Sequence, residues 1–413
     1  MSADLLSRRG AIVVFLVFAV AYFFSALLRA ITATLAPTLT QEFALTARDL
    51  GLLAGGYFIG FAATQIPLGK WLDRHGPKKV ILAFLLVAVL GCVAFSLATS
   101  FTALLAARVL CGVGVSACLM APLTGFRRWL DPATQLRANS WMLMTGSFGM
   151  LASTLPVQWL VPVFGWRPLF WALAALTALS MLLIAWRVPA WAAAPAPAGP
   201  AAGSYAEVWR DPYFRRMTPI GFFSYGGMIA VQTLWAGPWM VRVAGYEPVA
   251  SAAGLFTINL CMLVTFWSWG MVNPLLARRG ITTDRLITWG LPWHLLVLAG
   301  IVVAGPAAGA AALALFCVSC TFVSLAQPAV GMAFPAALAG RALSAYNLVI
   351  FLGVFVVQWG IGLLVDGFGA LGWSEVASFR GAMAVFLACS AASYGWFLMG
   401  SRDNRVDPRP ASP

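Results

Sequence analysis

Charge is scarce in this chain. Of its 413 residues only 9% are Asp, Glu, Lys or Arg, against about 25% in soluble domains. A water-soluble fold of this size could not cover its surface with so few charges. With 61% hydrophobic residues and a mean hydropathy of +0.87, the composition describes an all-α, polytopic membrane protein. Histidine is nearly absent: His75 and His294 are the only two. An intramembrane enzyme needs a nucleophile with a base, or a metal cluster, and two histidines cannot supply the usual ones. Seven cysteines all fall in apolar runs, where thiols behave as small hydrophobes. Cys317 and Cys320 have C-x-x-C spacing, but no second pair or histidine accompanies them. No metal, cofactor or catalytic residue is expected. The net charge of +13 does not point to nucleic acid, because basic residues of a membrane protein collect in its cytoplasmic loops.

Long apolar runs are what the chain has. A helical span needs about 20 such residues, and twelve stretches qualify: 11–36, 49–69, 79–98, 102–125, 138–164, 167–187, 217–241, 250–275, 284–304, 307–334, 342–365 and 377–400. The N-terminal run resembles a signal peptide but continues too far, and reads as an uncleaved first span. The gap at 188–216 is Ala/Pro/Gly-rich in its first half, as a flexible linker would be. From Ser204 it reads as a short amphipathic segment on the membrane surface. The expected organisation is therefore a bundle at 1–187, a linker at 188–216, a second bundle at 217–400 and a tail at 401–413. Placing the N-terminus in the cytoplasm puts 20 Lys and Arg residues on that side and four on the other. Both termini are then cytoplasmic in a multi-pass protein of the inner (plasma) membrane. No loop is long enough for a soluble sensor domain.

The halves echo each other. Aligning Arg137 with Arg341 brings Ser140 onto Ser344 and Gly149 onto Gly353 without a gap. A Gln-Trp pair follows in each, Gln158-Trp159 and Gln358-Trp359, offset by four residues. A duplicated transporter half accounts for this.

The loop after the second span reads GKWLDRHGPKKV, with Gly69, Asp73, Arg74, Gly76, Lys78 and Lys79 at characteristic spacing. It resembles the signature loop of the major facilitator superfamily, departing from it at Trp71 and Leu72. Gly69 would let two helices approach closely, Asp73 would cap or pair, and the basic residues would anchor the loop at headgroups. RVLCGVG, from Arg108 to Gly114, is similar to the family's Arg-x-x-x-Gly-x-Gly pattern, and Gly270 to Gly280 is a degenerate second copy of the loop. The resemblance implies two six-helix bundles around a cavity, with one substrate site near the midplane and alternating access. Spans 1, 4, 7 and 10 would line that cavity. Span five lacks the Gly-Pro and paired-glycine motif of the family's drug–proton antiporters.

SALLRAIT, residues 25–32, puts an arginine inside the first span. A charge at the bilayer centre costs about 3 kcal/mol or more. Counting 1.5 Å per residue from the span ends places Arg29 and Arg108 each ~9 Å below the outer boundary. Two guanidiniums at equal depth would suit a carboxylate or phosphate through bidentate bonds. The alternatives are that Arg29 snorkels outward and that Arg108 bonds helix carbonyls. No carboxylate lies mid-span; Asp366, at the outer end of span eleven, is nearest. A cation would lack a counter-charge, so the expected partner is an anionic or zwitterionic small solute. A coupling proton stays open, with His294 a minor candidate. Tyr22, Tyr57, Gln232, Trp235, Asn259, Gln327, Tyr346 and Asn347 are further candidate contacts. Gln232 and Trp235 are expected on one face of span seven. Each of these polar groups serves equally well as helix–helix glue. The sequence thus favours a monomeric secondary or facilitative transporter of organic anions or zwitterions. Efflux of a drug-like or siderophore-like compound is the alternative, and a sensor or embedded enzyme a remote one.

Overall fold

A computed structural model describes residues 5–190 and 204–400. Among these residues the structure is helical, with no strand. Nine helices are long and apolar enough to cross a membrane, and eleven if two bent pairs each count as one. One pair joins Ala47–Ala63 to Gln65–Leu72 at 41°, the other Arg137–Ala152 to Leu155–Phe164 at 42°. The predicted span 217–241 is built differently from all of these. Residues 220–243 alternate short α turns with π turns, so no single helix there has spanning length. π turns close i→i+5 bonds, as from Ala244 N–H to the Trp239 carbonyl.

The helices used below are α1 (Arg8–Phe43), α2 (Ala47–Ala63), α3 (Gln65–Leu97), α4 (Phe101–Val115), α5 (Ala117–Trp129), α6 (Pro132–Ala152), α7 (Leu155–Phe164) and α8 (Trp166–Arg187). Then come α9 (Tyr205–Arg210), α10 (Pro212–Pro219), α11 (Pro248–Arg278), α12 (Thr283–Ala304), α13 (Ala310–Ser324), α14 (Ala326–Ala333), α15 (Ala336–Ala370) and α16 (Glu375–Met399). Short polar residues start them. Ser100 and Ser374 accept from the backbone three residues on, and Thr46 forms a capping box with Asp49.

The signature loop is mostly helix. α3 runs through 65–97 with one break at Gly76, where φ is +76° and Pro77 restarts the winding. That backbone angle suits glycine alone without strain. Gly69 corrects the expectation drawn from the sequence: a Cβ there would meet nothing within 4 Å, so no close approach depends on it. Lys78 Nζ donates to the Val188 carbonyl at 2.8 Å, tying the loop to the end of α8, while Arg74 and Lys79 are exposed. The Asp73 side chain, residues 191–203 and the tail at 401–413 lie outside the described parts.

α2 packs along α15 for its whole length, and this is the main seam between the first and second halves of the chain. Glycines bring the backbones together: a Cβ on Gly51 would strike the Gln358 carbonyl, and one on Gly362 the Ala47 carbonyl. Further along, Phe58 and Phe61 pack on Phe351, with ring centroids 6.2 and 4.4 Å apart. α1 meets the π-wound segment, and α6 and α7 meet α11, in two lesser seams.

After the first half, α9 and α10 fold onto α15 and α16. Val208 and Phe214 are buried, and Asp211 caps α10 by accepting from Phe214 N–H at 2.9 Å. Behind them Arg216 donates to Asp284 (2.5 Å) and to the Phe397 carbonyl (2.9 Å), and Tyr213 donates to Asp284 (3.0 Å). Burial and the Asp284 carboxylate push the Tyr213 phenol far above its ordinary range.

Candidate functional site

Arg29 projects from the middle of α1 and is half-buried. Its guanidinium lies 5.8 Å from the ring centre of Phe61 on α2 and 6.0 Å from that of Phe351 on α15. The site therefore draws its walls from both halves of the chain. The phenols of Tyr57, Tyr22 and Tyr225 and the thiol of Cys118 are titratable groups that interact with this charge. Nε has no hydrogen-bond partner, and no carboxylate pairs with the guanidinium among the described residues. Cation–π contact at a desolvated site is worth about 2 kcal/mol, less than the cost of burying a lone charge. The arrangement leaves the guanidinium undercompensated.

Arg108 is brought beside Arg29, as equal depth implied, but not as the second jaw of a clamp. It is 1% exposed, its Nη2 donates to the Arg29 carbonyl at 3.5 Å, and its guanidinium stacks 5.1 Å from the Tyr57 ring centre. Nε and Nη1 have no partners. Tyr57 is fully buried between the two arginines, its hydroxyl donating to the Ser25 carbonyl at 3.2 Å.

Tyr57 sits where it does because α2 and α4 touch backbone to backbone. A Cβ on Gly112 would collide with the Tyr57 carbonyl oxygen, and one on Gly60 with the Val109 carbonyl. Tyr22, 5% exposed, lies over Gly146 of α6, where a Cβ would come within 2.6 Å of its ring.

The polar candidates of the second half bond one another instead of converging. Gln232 Nε2 donates to Asn259 Oδ1 (2.9 Å), and Asn259 Nδ2 to the Leu255 carbonyl (2.9 Å). Trp235 Nε1 donates to the Gln358 carbonyl (3.0 Å), and Gln358 Nε2 to Thr233 Oγ1 (3.0 Å). Gln232 and Trp235 thus serve different neighbours, α11 and α15. The expectation of a common face assumed α winding, and these residues lie in a π turn. Gln327 Nε2 donates to Asn347 Oδ1 (2.5 Å) and the Tyr346 hydroxyl to the Met217 carbonyl (3.1 Å). His294 is fully buried against Phe316, ring centres 4.7 Å apart. Cys317 and Cys320 are free and buried.

Three site residues escaped the sequence reading: Phe61, Phe351 and Tyr225. Phe61 follows Tyr57 by one helical turn and shares its face, which was a usable signal. Phe351 and Tyr225 reach Arg29 only through the packing of the second half on the first.

At the face opposite the described chain ends lies a cavity of about 440 Å³, lined by Thr46, Leu50, Trp235, Asp366, Trp373 and Phe379, among others. Among the described residues no group of three or more His, Cys, Asp or Glu is placed to hold a metal.

A sequence model of the Major Facilitator Superfamily matches residues 18–358. The probable sulfoacetate transporter SauU of Cupriavidus necator is 29% identical over 64% of this chain and 63% of its own length. The niacin transporter NiaP of Acinetobacter baylyi is 30% identical over 41% of this chain and 38% of its own. In each case the match spans less than two thirds of the relative. Among solved structures, a bacterial homolog of the human lysosomal transporter Spinster, inward-facing and unoccupied, superposes with a TM-score of 0.78. It covers 96% of this chain and 98% of that one at 16% identity, a likeness of fold.

Proposed function

The chain belongs to the Major Facilitator Superfamily, and from that premise we propose that it carries small organic anions bearing one negative charge. The observation that carries this reading is Arg29: a half-buried guanidinium, at the seam of the two halves, with an unpartnered Nε and no carboxylate partner. An intramembrane charge left in that condition marks a substrate path by default. A carboxylate or sulfonate would complete it with charge-assisted hydrogen bonds. One cation is available rather than two, because Tyr57 and the Arg29 backbone enclose Arg108. The faces of Phe61 and Phe351 favour a planar or apolar body attached to the charged group. Relatives named for sulfoacetate and niacin support the organic-acid class; the single accessible cation favours a monoanion over a dianion.

In this reading the chain makes twelve spans in two six-helix bundles, residues 220–243 counting as the seventh. Both termini are cytoplasmic, as the 20:4 distribution of basic residues supports. Solute crosses the inner membrane as the bundles rock about the α2–α15 seam.

The test is thermal stabilisation of the purified full-length protein by nicotinate, sulfoacetate, glycine betaine and tetramethylammonium. Nicotinate should raise the melting temperature, and Arg29→Gln should abolish that shift while leaving the unliganded protein folded. Arg29→Lys should weaken it, since an ammonium cannot offer a planar fork. Stabilisation by the cation alone, or an unaltered nicotinate shift in Arg29→Gln, would refute the reading.

A further inference from the structure

The first turn of α2 has four N–H groups that its own helix cannot satisfy. The capping box accounts for two: Thr46 N–H donates to Asp49 Oδ2 (3.2 Å) and Asp49 N–H to Thr46 Oγ1 (3.3 Å). Leu50 N–H, the next along, makes the first intrahelical bond, to the Thr46 carbonyl at 3.0 Å. The two left over, on Ala47 and Arg48, go to a residue more than 300 positions away. Ala47 N–H donates to Asp366 Oδ1 at 3.1 Å and Arg48 N–H to Asp366 Oδ2 at 2.9 Å. Each carboxylate oxygen takes one donor. Asp366 stands near the C-terminal end of α15, in the other half of the chain, so these bonds cross the moving seam.

We propose that Asp366 is the latch of the gate at this face: its charge, seated on the positive end of α2, holds the two halves together and sets how readily they part. Asp366 acts through the α2 backbone and not on the solute, so it is a positioning residue. Three observations carry the assignment. The donors are otherwise orphaned, so closing the seam satisfies them and opening it returns them to water. The seam is shaped for backbone contact here, because Gly362 lies one turn from Asp366 and its missing Cβ leaves room for the Ala47 carbonyl. The latch also borders the 440 Å³ cavity, so water and ions reach it when the rest of the seam is shut.

Other charges nearby are engaged elsewhere. The Arg48 side chain turns to Asp49, Nε to Oδ1 at 3.7 Å. Arg242 donates to Glu375 at 2.7 Å across the cavity rim, within the second half. Neither pair crosses the seam.

The experiment is hydrogen exchange by mass spectrometry on the full-length protein in nanodiscs, comparing wild type with Asp366→Asn and Asp366→Glu. Asparagine keeps the shape and loses the charge. Hydrogen bonds to a charged acceptor are worth enough that amides 47 and 48 should exchange roughly tenfold or more faster. Alternating access makes a second demand. Segments on the face of the chain ends, 66–80 and 327–340, should become more protected in Asp366→Asn, because parting one face closes the other. Asp366→Glu, which retains the charge, should restore the wild-type pattern. Gly362→Ala should imitate Asp366→Asn by forcing the same seam apart sterically. Unchanged exchange at 47–50 in Asp366→Asn would overturn the proposal. So would faster exchange on both faces, the signature of a loosened fold.

Discussion

Gly112→Ala tests whether backbone contact between α2 and α4 is what holds Tyr57 in place. The new Cβ would stand 2.7 Å from the Tyr57 carbonyl carbon and 2.9 Å from its Cα. Reaching an ordinary 3.4 Å requires a shift of about 0.7 Å, and more at the carbonyl oxygen. Both obstacles are backbone, so no side chain can swing aside. A gap of 0.5–1 Å forfeits about a quarter to a half of the contact energy along a helix pair, and inside a membrane packing is the main term holding helices together. Overpacking of this kind costs about 1–3 kcal/mol. Tyr57 moves with its backbone, so the bond to the Ser25 carbonyl and the stack under Arg108 weaken together. The expected result is a lower melting temperature and weaker stabilisation by nicotinate. Gly69→Ala is the control, because its Cβ meets nothing within 4 Å and alanine in a helix interior is favoured by about 1 kcal/mol. The reasoning fails if Gly112→Ala melts at or above Gly69→Ala.

Asp284→Asn should destabilise by about 1.5–3 kcal/mol, the worth of a hydrogen bond to a charged group, without altering nicotinate affinity, since Asp284 anchors Arg216 and Tyr213 away from Arg29. Thermal melts with and without nicotinate separate the two effects. The Tyr213 phenol is raised in the folded state. Its contribution is therefore complete below the unfolded value of about 10 and fades as pH rises above it; Tyr213→Phe should flatten the alkaline limb of a stability–pH profile. Trp235→Phe removes the donor to the Gln358 carbonyl, costing about 1 kcal/mol. Because this bond ties the π-wound segment to α15, transport turnover should change while half-saturation for nicotinate stays constant.

Membrane character and most of the helix positions were legible from sequence because apolar runs of spanning length, one after another, have little use outside a bilayer. The apolar stretch at 217–241 was legible as helical from its composition, yet its winding was not. π turns share the residue types of α helix, so nothing in GFFSYGGMIAVQTLWAGPW announces them. That is why Gln232 and Trp235, expected on one face as candidate solute contacts, instead bond Asn259 and the Gln358 carbonyl. The Gly-x-Gly of RVLCGVG was noted only for its pattern, and in the structure Gly112 on Tyr57 and Gly114 on Ala88 are close backbone approaches. Gly69, equally prominent in a signature, would carry a Cβ that meets nothing within 4 Å. A motif position shows that glycine recurs, and only its neighbours show what the glycine is for.

The arginines make the same point about charge. Depth along a helix follows from counting residues, and counting placed Arg29 and Arg108 together. Rotation about the helix axis, and what lies in between, does not follow from counting. Tyr57 is what lies there: its ring centre is 5.1 Å from the Arg108 guanidinium and its hydroxyl donates to the Ser25 carbonyl. The two guanidiniums therefore divide the work by accessibility. Arg108 is sealed behind the site against Tyr57 and the Arg29 carbonyl. It repels a second cation and raises the cost of leaving Arg29 uncompensated, without offering hydrogen bonds to a solute. Under the proposed function a monoanion at Arg29 would gain from both charges and bond only one of them. Removing the buried charge in Arg108→Met should accordingly weaken nicotinate binding less than Arg29→Gln does, and should not destabilise the fold by the about 3–5 kcal/mol expected for breaking a buried ion pair. A loss of binding in Arg108→Met equal to that in Arg29→Gln would restore the two-jawed clamp.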